Sequence, residues 1–339
     1  MFEKLKMLCE LNGTSGREEK IREFIIEHIK EKCEYKVDPL GNVIAFKRGT
    51  KRAKNKVMLS AHMDEVGFII TYITDDGFLR FDTVGGIDEK VIVGRAVTVG
   101  DSEIPGVIGL KPIHITDKAD EGKVPNVSKL YIDVGASSKE EAEKYVSVGD
   151  SAYFISSFEE FGDNKIVSKA LDDRFGCAVM LDMIDSQTEY DAYFVFLVQE
   201  EVGLRGSVTA AYTVDPDYAI VLESTTAADV AGVKDEDAVC ILSKGAVVSF
   251  MDRSTVYDRR LFKRAFELAE ENSIACQTKT AVAGGNDAGS IHKSRGGVYT
   301  ITVSLPCRYI HSATSVADKR DMSACRKLAE VLLSDFAND

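Results

Sequence analysis

The sequence contains no tryptophan and only 6 prolines, and its 7 cysteines never form a Cys-x-x-Cys pair. An odd number of scattered cysteines argues against a disulfide framework and a cysteine-rich zinc site, and favours a reducing compartment. The longest apolar runs, such as 192–198, are far shorter than the roughly 18 residues that a membrane span needs. The N-terminal segment also lacks the uninterrupted apolar stretch of a signal peptide. These absences predict a soluble cytoplasmic protein with no membrane partner.

The sequence has fewer basic than acidic side chains. The 339 residues include 42 Lys and Arg against 55 Asp and Glu, so the formal net charge is −13. Nucleic-acid and anionic-membrane binders need clustered Lys and Arg, which argues against both classes of partner. The hydrophobic fraction of 45% excludes a disordered acidic chain. A chain of this length can bury a substantial core without covalent cross-links.

Helical and strand-like patterns alternate at both ends of the chain but not in its middle. Helices are predicted around 21–29, 175–184, 261–269 and 322–336. Strands are predicted at 43–46, 57–61, 192–198, 218–222 and 298–304. The middle of the chain has short β-rich runs separated by turns, which is typical of a small barrel or sandwich, at 92–99, 106–110, 130–134 and 152–155.

The alternation predicts an α/β protein with a mixed, largely parallel sheet sandwiched by helices. Residues 1–70 and 165–339 would form this catalytic α/β domain. Residues 71–164 would form an inserted small β-barrel domain.

Carboxylates or histidines follow five apolar, strand-like runs. In open α/β sheets, ligand sites form outside the carboxyl ends of the strands, so these side chains are candidates for one site. The five segments are LSAHMDE at 59–65, KALDDR at 169–174, FVFLVQEEVG at 194–203, IVLES at 220–224, and PCRYIHS at 306–312, the last preceded by GGNDAG at 284–289.

The first two segments each contain a pair of candidate residues. His62 and Asp64 are two positions apart and share a face of an extended backbone. A carboxylate commonly accepts the second ring proton of a metal-bound histidine, which is a candidate role for Asp64. Asp172 and Asp173 precede a predicted helix, where one acid serves as a cap and the second needs another reason.

The other three segments contribute further carboxylates and a second histidine. Glu200 and Glu201 end a strongly apolar strand, where charge at the rim of a core is costly. Both converge on one site only if the backbone turns there, which Gly203 permits. With Glu223 and His311 they complete a set of mixed nitrogen and oxygen donors, which suits zinc, cobalt or manganese in a hydrolytic site. Each segment alone is also compatible with a satisfied surface feature.

Other positions leave alternatives open. His114, in the inserted segment, is either a substrate contact or a surface histidine, and His292 is read as a helix residue. Ser15 and Glu18 have the spacing of a capping box for the first amphipathic helix.

Taken together, the segments resemble a known family. AHMDEVGF, GVIGLKPIH, IDVGASSKEEAE, KALDDRFGCAV, QEEVGLRG, GGNDAG and PCRYIHS occur in the order found in the co-catalytic metallo-aminopeptidases. That family includes glutamyl and deblocking aminopeptidases and the tetrahedral (TET) peptidases, some of which are labelled cellulase M. The resemblance runs from about residue 10 to the C-terminus. It implies a zinc-exopeptidase-like fold and removal of the N-terminal residue from short peptides.

The resemblance also implies a cofactor, which is a pair of divalent metal ions, with zinc as the first choice and cobalt or manganese as alternatives. By position, one ion would be held by His62, Asp172 and Glu223. The other would be held by Asp172, Glu201 and His311, so that Asp172 bridges the two.

Catalytic roles follow from the same resemblance. Glu200 would be the general base that takes a proton from a metal-bridging water, and Asp64 would orient His62. The Asp172–Asp173 peptide would be strained and could be cis. The family more often has Asp at the position of Glu223, so the carboxylate arm is one methylene longer here, and Asp229 is a weaker substitute ligand.

Further departures from the family bear on substrate preference: Asn286 stands where Thr is common, and Ala313 and Ser315 replace a usual Pro and Glu. The resemblance also implies a homo-oligomer, with a dodecamer as one form, assembled through the inserted domain, which would control substrate access. Other hypotheses remain, namely a metal-dependent carboxypeptidase or deacylase of related fold, a non-catalytic relative, and an endoglucanase-type glycoside hydrolase. Glycoside hydrolysis would use two carboxylates but leave both histidines without a role.

Overall fold

A computed structural model describes residues 1–115 and 122–339. Its helices are α1 (Phe2–Glu10), α2 (Glu19–Ile29), α3 (Lys139–Ala142), α4 (Leu171–Asp185), α5 (Arg205–Val214), α6 (Arg259–Glu271), α7 (Ala288–Ile291) and α8 (Lys319–Asn338). Its strands are β1 (Glu34–Val37), β2 (Val43–Lys47), β3 (Val57–His62), β4 (Gly67–Ile73), β5 (Leu79–Val84), β6 (Ala96–Val99), β7 (Ile104–Gly109), β8 (Tyr131–Asp133), β9 (Ser151–Phe154), β10 (Glu159–Phe161), β11 (Lys165–Ser168), β12 (Ala192–Leu197), β13 (Tyr218–Thr226), β14 (Ala246–Val248), β15 (Cys276–Thr278), β16 (Tyr299–Cys307) and β17 (Ser315–Asp318).

The largest sheet has eight strands in the order β1-β2-β12-β3-β13-β16-β14-β15. Its centre, β12-β3-β13-β16, is parallel throughout, whereas β1 and β2 on one side and the β14–β16 pair on the other are antiparallel. The predicted fold class, a mixed and largely parallel sheet, is confirmed. Because neighbouring central strands run in one direction, their carboxyl ends meet at one edge, where the candidate residues gather.

Helices cover both faces of this sheet because successive strand residues point to opposite sides. In β12, Phe194 and Phe196 enter a core shared with α1, α2, α4, α6 and α8. Val195 and Leu197 enter a second core, shared with α5 and α7. A strand buried on both faces has to be apolar along its whole length, which explains the unbroken hydrophobic run at this position.

Six strands form a closed barrel in the order β4-β5-β8-β7-β6-β9. Its interior is filled by buried apolar side chains such as Phe68, Leu79 and Ile132. The strand predicted at 92–99 is shorter than expected, because a 3-10 turn ends at Val91 and the pairing begins only at Ala96. The sequence also predicts a long loop at 116–128, of which residues 116–121 lie outside the described part.

A small antiparallel sheet, β10-β11-β17, pairs strands that are distant in the chain. The seven cysteines are all free. In the described ranges, no helix combines the length and the apolar character required to cross a membrane.

Candidate metal centre

The carboxyl ends of the central parallel strands position the candidate residues. His62 is the last residue of β3 and lies opposite Leu197 of β12, so the segment that follows β12 begins beside it. Glu223 lies within β13, which continues to Thr226 and is longer than predicted. Asp172 lies in the first turn of α4, and His311 lies between β16 and β17. With the loop after β12, which carries Glu201, five separate chain segments therefore deliver side chains to one point.

The carboxylate of Asp172 lies between the two histidines. Its Oδ1 is 3.3 Å from Nε2 of His62, and its Oδ2 is 3.1 Å from Nε2 of His311. A second carboxylate stands beside each imidazole: Oε1 of Glu223 is 3.5 Å from His62 Nε2, and Oε1 of Glu201 is 3.3 Å from His311 Nε2. The arrangement is two nitrogen–oxygen triads that share Asp172.

Both imidazoles present the same ring nitrogen to the site. Nδ1 of His62 lies 3.1 Å from the backbone carbonyl of Asp64, and Nδ1 of His311 lies 2.8 Å from that of Gly86. A carbonyl oxygen only accepts hydrogen bonds, so in each neutral imidazole Nδ1 carries the proton and Nε2 presents its lone pair. Gly86 lies two residues after the end of barrel strand β5, so a segment that leaves the barrel orients one of the two histidines.

Asp64 connects the His62 segment to the loop after β12. Its Oδ1 accepts the backbone N–H of Glu200, and its Oδ2 accepts that of Glu201, each at 3.1 Å. The same carboxylate lies 3.4 Å from Nδ1 of His62. Ser15 donates its hydroxyl to Oδ2 at 2.6 Å. Asp64 thus holds the backbone of both glutamates as well as the imidazole.

The sequence predicts the turn after β12 at Gly203, but the backbone already changes direction at Gln199. Gln199 already has a positive φ of 56°, and its N–H donates to Oε1 of Glu18. This left-handed residue reverses the alternation of side-chain direction, so that Glu200 and Glu201 both line the cleft. Glu18 therefore fixes this turn. The predicted capping box is wrong, because Ser15 bonds to Asp64 and Glu18 to this loop and to Gly16.

The second aspartate of the Asp172–Asp173 pair, Asp173, has a structural role. Its carboxylate accepts the backbone N–H of Gly176 at 3.0 Å and that of His62 at 3.3 Å. It is fully buried, whereas Asp172 faces the cleft, and the peptide bond between the two residues is cis. Asp173 also lies within coordinating reach of His62 and Glu223. Because its oxygens are already occupied by backbone donors, we regard Asp172 as the oxygen donor that is available.

Burial and mutual repulsion shift the pKa values of the cluster. Burial raises the pKa of Glu201 to about 7 and, together with the charge of Asp172, that of Glu223 to about 8. Burial and the neighbouring carboxylates hold the pKa of Glu200 well above its usual range. Although burial acts in the opposite direction, the hydrogen bond to Asp172 raises the pKa of His311 to about 9. Protons thus compensate the negative charge here, as cations would.

A divalent metal ion fits these residues. In a tetrahedral site with ligands at 2.0–2.1 Å, two ligand atoms are about 3.3 Å apart, and the four nitrogen–oxygen distances above lie between 3.1 and 3.5 Å. Oε2 of Glu223 is buried and has no hydrogen-bond partner among the described residues. A buried carboxylate oxygen without a donor is costly unless a cation faces it.

Sequence reasoning missed a buried ion pair behind the site. Nζ of Lys169 lies 2.6 and 2.7 Å from the two oxygens of Glu65, and both side chains are 4% exposed. Arg174 is fully buried 3.6 Å from Glu65 and donates to the carbonyls of Leu8, Leu11 and Gly13. The only available signal was the position of these charged residues within the HMDE and KALDDR motifs.

Three minor candidates lie away from the triads. His114 is on an exposed 3-10 turn of the barrel and is not one of the residues that line the cleft of this chain. His292 caps the C-terminal end of α7 and contacts the carbonyl of Ala288. Asp229 forms a two-point ion pair with Arg308, which occupies both of its carboxylate oxygens.

Two histidine–carboxylate triads lie at the carboxyl ends of the parallel central strands. This combination of fold and site is typical of a metal-dependent hydrolase. The M42 glutamyl aminopeptidase family matches residues 41–328, and the chain belongs to this family. It is a metal-dependent aminopeptidase that uses divalent ions. The predicted family resemblance and enzyme class are therefore confirmed.

Three similar proteins illustrate the relationship. The lysyl aminopeptidase of Pyrococcus furiosus is 34% identical over 99% of this chain and 97% of its own. The structure of aminopeptidase APDkam598 from Desulfurococcus kamchatkensis has a TM-score of 0.92 and 38% identity, covering 97% of this chain and 92% of that one. The TET1 peptidase of Pyrococcus horikoshii, which can assemble into a tetrahedron or a large octahedral shell, has a TM-score of 0.85 and 37% identity, with 98% of each chain covered.

Proposed function

We propose that the chain binds two divalent ions, zinc in the first instance, and removes the N-terminal residue from short peptides. One ion would be held by His62, Asp172 and Glu223, and the other by Asp172, Glu201 and His311. The observation that carries this proposal is the central carboxylate of Asp172, whose two oxygens face two different imidazoles. Nitrogen and oxygen donors without thiolates also suit cobalt and manganese.

In this proposal the ions, when bound, polarise the scissile carbonyl and lower the pKa of the attacking water. Glu200 takes the proton from that water and later delivers it to the leaving amine. Burial raises the pKa of Glu200 above its usual range, and a carboxylate with a raised pKa is the stronger base. Asp64 holds Glu200 in place through its backbone N–H and keeps Nε2 of His62 directed at the site.

We further propose that residues 71–164 act as one inserted domain that mediates homo-oligomerisation and limits substrate access, with a dodecamer as the expected assembly. Support comes from the closed barrel, whose strands run from Gly67 to Phe154 and so begin four residues before the proposed boundary, and from the shell that the TET1 relative can form. Analytical ultracentrifugation of the full chain tests the assembly.

A cytoplasmic location is also proposed, supported by the seven free cysteines, since disulfides are rare in reducing compartments.

The deciding experiment compares three matched peptides: one with a free N-terminus, its N-acetylated form and its C-terminally amidated form. We expect metal-dependent release of the first residue from the free and the amidated peptides, and no reaction of the acetylated peptide. Faster cleavage of the acetylated peptide would instead identify a deacylase. Loss of cleavage only upon amidation would identify a carboxypeptidase.

A further inference from the structure

The cleft in front of the two triads is lined by several acidic side chains and by the amine of Lys279. Its walls carry the carboxylates of Asp172, Glu200, Glu201 and Glu223, together with His311. Of the described residues that line it, Lys279 is the only Lys or Arg. Lys279 directly follows the edge strand β15 and is half-buried. A single positive charge among several carboxylates indicates a functional role for Lys279.

The ammonium group of Lys279 has unused hydrogen-bonding capacity. Its Nζ donates one hydrogen bond, to the carbonyl of Ala283 at 2.8 Å. An ammonium has three N–H donors, so two remain, and they have no further protein partner within the described ranges. Burial lowers the pKa of Lys279, but the nearby carboxylates of Asp252 and Glu223 oppose this and favour the charged form.

Neither neighbouring carboxylate is available as a permanent partner. Asp252 is 2% exposed, and its oxygens accept hydrogen bonds from the Ser254 hydroxyl, the backbone N–H groups of Ser254 and Thr255, and the Tyr257 hydroxyl. Glu223 belongs to a proposed metal triad. When divalent ions neutralise the triads, Lys279 is left as a half-buried positive charge that faces the substrate cleft.

The charge balance of the cleft supports an anionic substrate group. The four carboxylates on its walls carry a formal charge of −4, which two divalent ions would compensate. The ammonium of Lys279 then makes this cleft net positive, although the whole chain has a net charge of −13. A partly buried cation with two free donors is best matched by a carboxylate, which forms short, charge-assisted hydrogen bonds.

We propose that Lys279 binds the side-chain carboxylate of the substrate's N-terminal residue, so that the enzyme prefers peptides beginning with Glu or Asp. This inference rests on the proposed aminopeptidase function. Family membership does not decide the preference, because the family is described as glutamyl aminopeptidase whereas the relative from P. furiosus is a lysyl aminopeptidase. Lys279 is therefore assigned as a residue that determines specificity.

The test measures kcat/KM of the metal-loaded full-length protein on glutamyl, aspartyl, leucyl and lysyl anilides, in which only the first residue varies. In Lys279→Met the ratio of glutamyl to leucyl kcat/KM should fall about 10- to 100-fold, the range expected for losing a hydrogen bond between charged groups. Lys279→Glu should lower this ratio further and favour the lysyl substrate. Lys263→Met, on the exposed face of α6, is the matched control and should leave the ratio unchanged.

Free L-glutamate provides a readout that does not depend on turnover of an acidic substrate. It should inhibit cleavage of the leucyl anilide by the wild type more strongly than L-leucine does, and this advantage should disappear in Lys279→Met. The same glutamyl-to-leucyl ratio in the wild type and Lys279→Met would overturn the inference. A preference for Glu or Asp at the second residue of dipeptides, and not at the first, would also overturn the inference. If the wild type cleaves no anilide at all, the proposed function fails, and this inference fails with it.

Discussion

Glu200 is held by its backbone, whereas its carboxylate accepts no hydrogen bond from any residue that the structure describes. Its N–H is bound by Asp64, and the preceding residue, Gln199, is fixed by Glu18 in a left-handed conformation. A residue anchored in this way can lose its carboxylate without losing its position. The site therefore permits a conservative test of the general base.

We expect Glu200→Gln to lower kcat by about 10²- to 10⁴-fold, because the amide cannot accept the proton of the attacking water. The bound metal, measured by elemental analysis, should remain at the wild-type level, since Glu200 is assigned to neither triad. Glu270→Gln, on the exposed face of α6, serves as the control. A variant that retains more than a tenth of the wild-type kcat would show that another group is the base.

At the scale of elements, one buried ion pair joins three segments of the site. Glu65 follows the His62 strand, Lys169 precedes Asp172, and the N–H of Gly13 donates to the same Glu65 carboxylate at 3.0 Å. Removing one partner of a buried pair leaves an uncompensated charge in the interior. The pair therefore stabilises the relative positions of the loops that carry the candidate ligands.

Lys169→Met should lower the free energy of unfolding by about 3–5 kcal/mol, as measured by urea denaturation, because the buried Glu65 carboxylate loses both short contacts to Nζ and keeps only Arg174, 3.6 Å away, as a cationic neighbour. The double variant Lys169→Met/Glu65→Gln should lose less, since a neutral amide still accepts the N–H of Gly13. The exposed pair Lys20–Glu103 is the control, and Lys20→Met should cost at most about 1 kcal/mol. Equal losses in Lys169→Met and Lys20→Met would contradict the structural role of the buried pair.

The last helix depends on a carboxylate at its start. Asp318 caps α8 by accepting the N–H of Arg320 at 2.7 Å, and its Oδ2 lies 2.6 Å from Nζ of Lys165. Burial alone would raise the pKa of Asp318, but hydrogen bonds from Arg320, Lys165 and Ser243 hold it well below its usual range. A carboxylate whose pKa is lowered on folding stabilises the folded state at pH values above its unfolded pKa.

Asp318→Asn should therefore be less stable than the wild type at pH 7, by roughly 1–3 kcal/mol for the lost hydrogen bonds to a charged group. The difference should shrink as the pH falls below about 4, the pKa of an unfolded Asp, because the wild-type carboxylate then begins to lose its advantage. Urea unfolding at pH 7, 5 and 3 measures this trend. Asp163→Asn, at an exposed ion pair with Arg320, should show little effect at any of these pH values. A pH-independent loss in Asp318→Asn would refute the electrostatic explanation.

For the whole molecule, the acidic cluster links folding to metal binding. Without cations, the raised pKa values of Glu201 (about 7) and Glu223 (about 8) mean that the folded state loses stability as the pH rises from about 4.3, the pKa of an unfolded Glu, to about 8. Divalent ions remove the repulsion, and any ligand that binds only the folded state stabilises it by mass action.

Chelation should thus abolish peptide cleavage and lower Tm, and added zinc, cobalt or manganese should restore both. At a metal concentration of 100 times Kd the expected stabilisation is about 2.7 kcal/mol. The difference in Tm between metal-bound and metal-free protein should grow from pH 5 to pH 8, as protons stop compensating the carboxylates. Glu223→Gln should reduce the metal-dependent shift, and calorimetry at each pH checks both statements. A Tm that does not respond to metal would show that the cluster is not a metal centre.

Local patterns were sufficient to predict much of the architecture. The unbroken apolar run at 192–198 and the helical stripe of α2 identified the main elements, because burial on two faces or one face leaves a characteristic period in the sequence. The mixed sheet and the inserted barrel followed from the order of these elements. The extension of β13 past Glu223 could not be predicted, since a charged side chain inside a strand is tolerated only where the fold surrounds it with partners.

The sequence by itself determined which residue types were available for chemistry: two histidines and a set of carboxylates at the ends of predicted strands. Tertiary structure decided which atoms meet. It placed the two oxygens of Asp172 before two imidazoles, used Asp173 to bind backbone N–H groups, and directed Lys279 into an acidic cleft. The physical reason is that local sequence governs backbone period and burial, whereas pairings between residues more than a hundred positions apart arise only when the parallel strands bring their ends together.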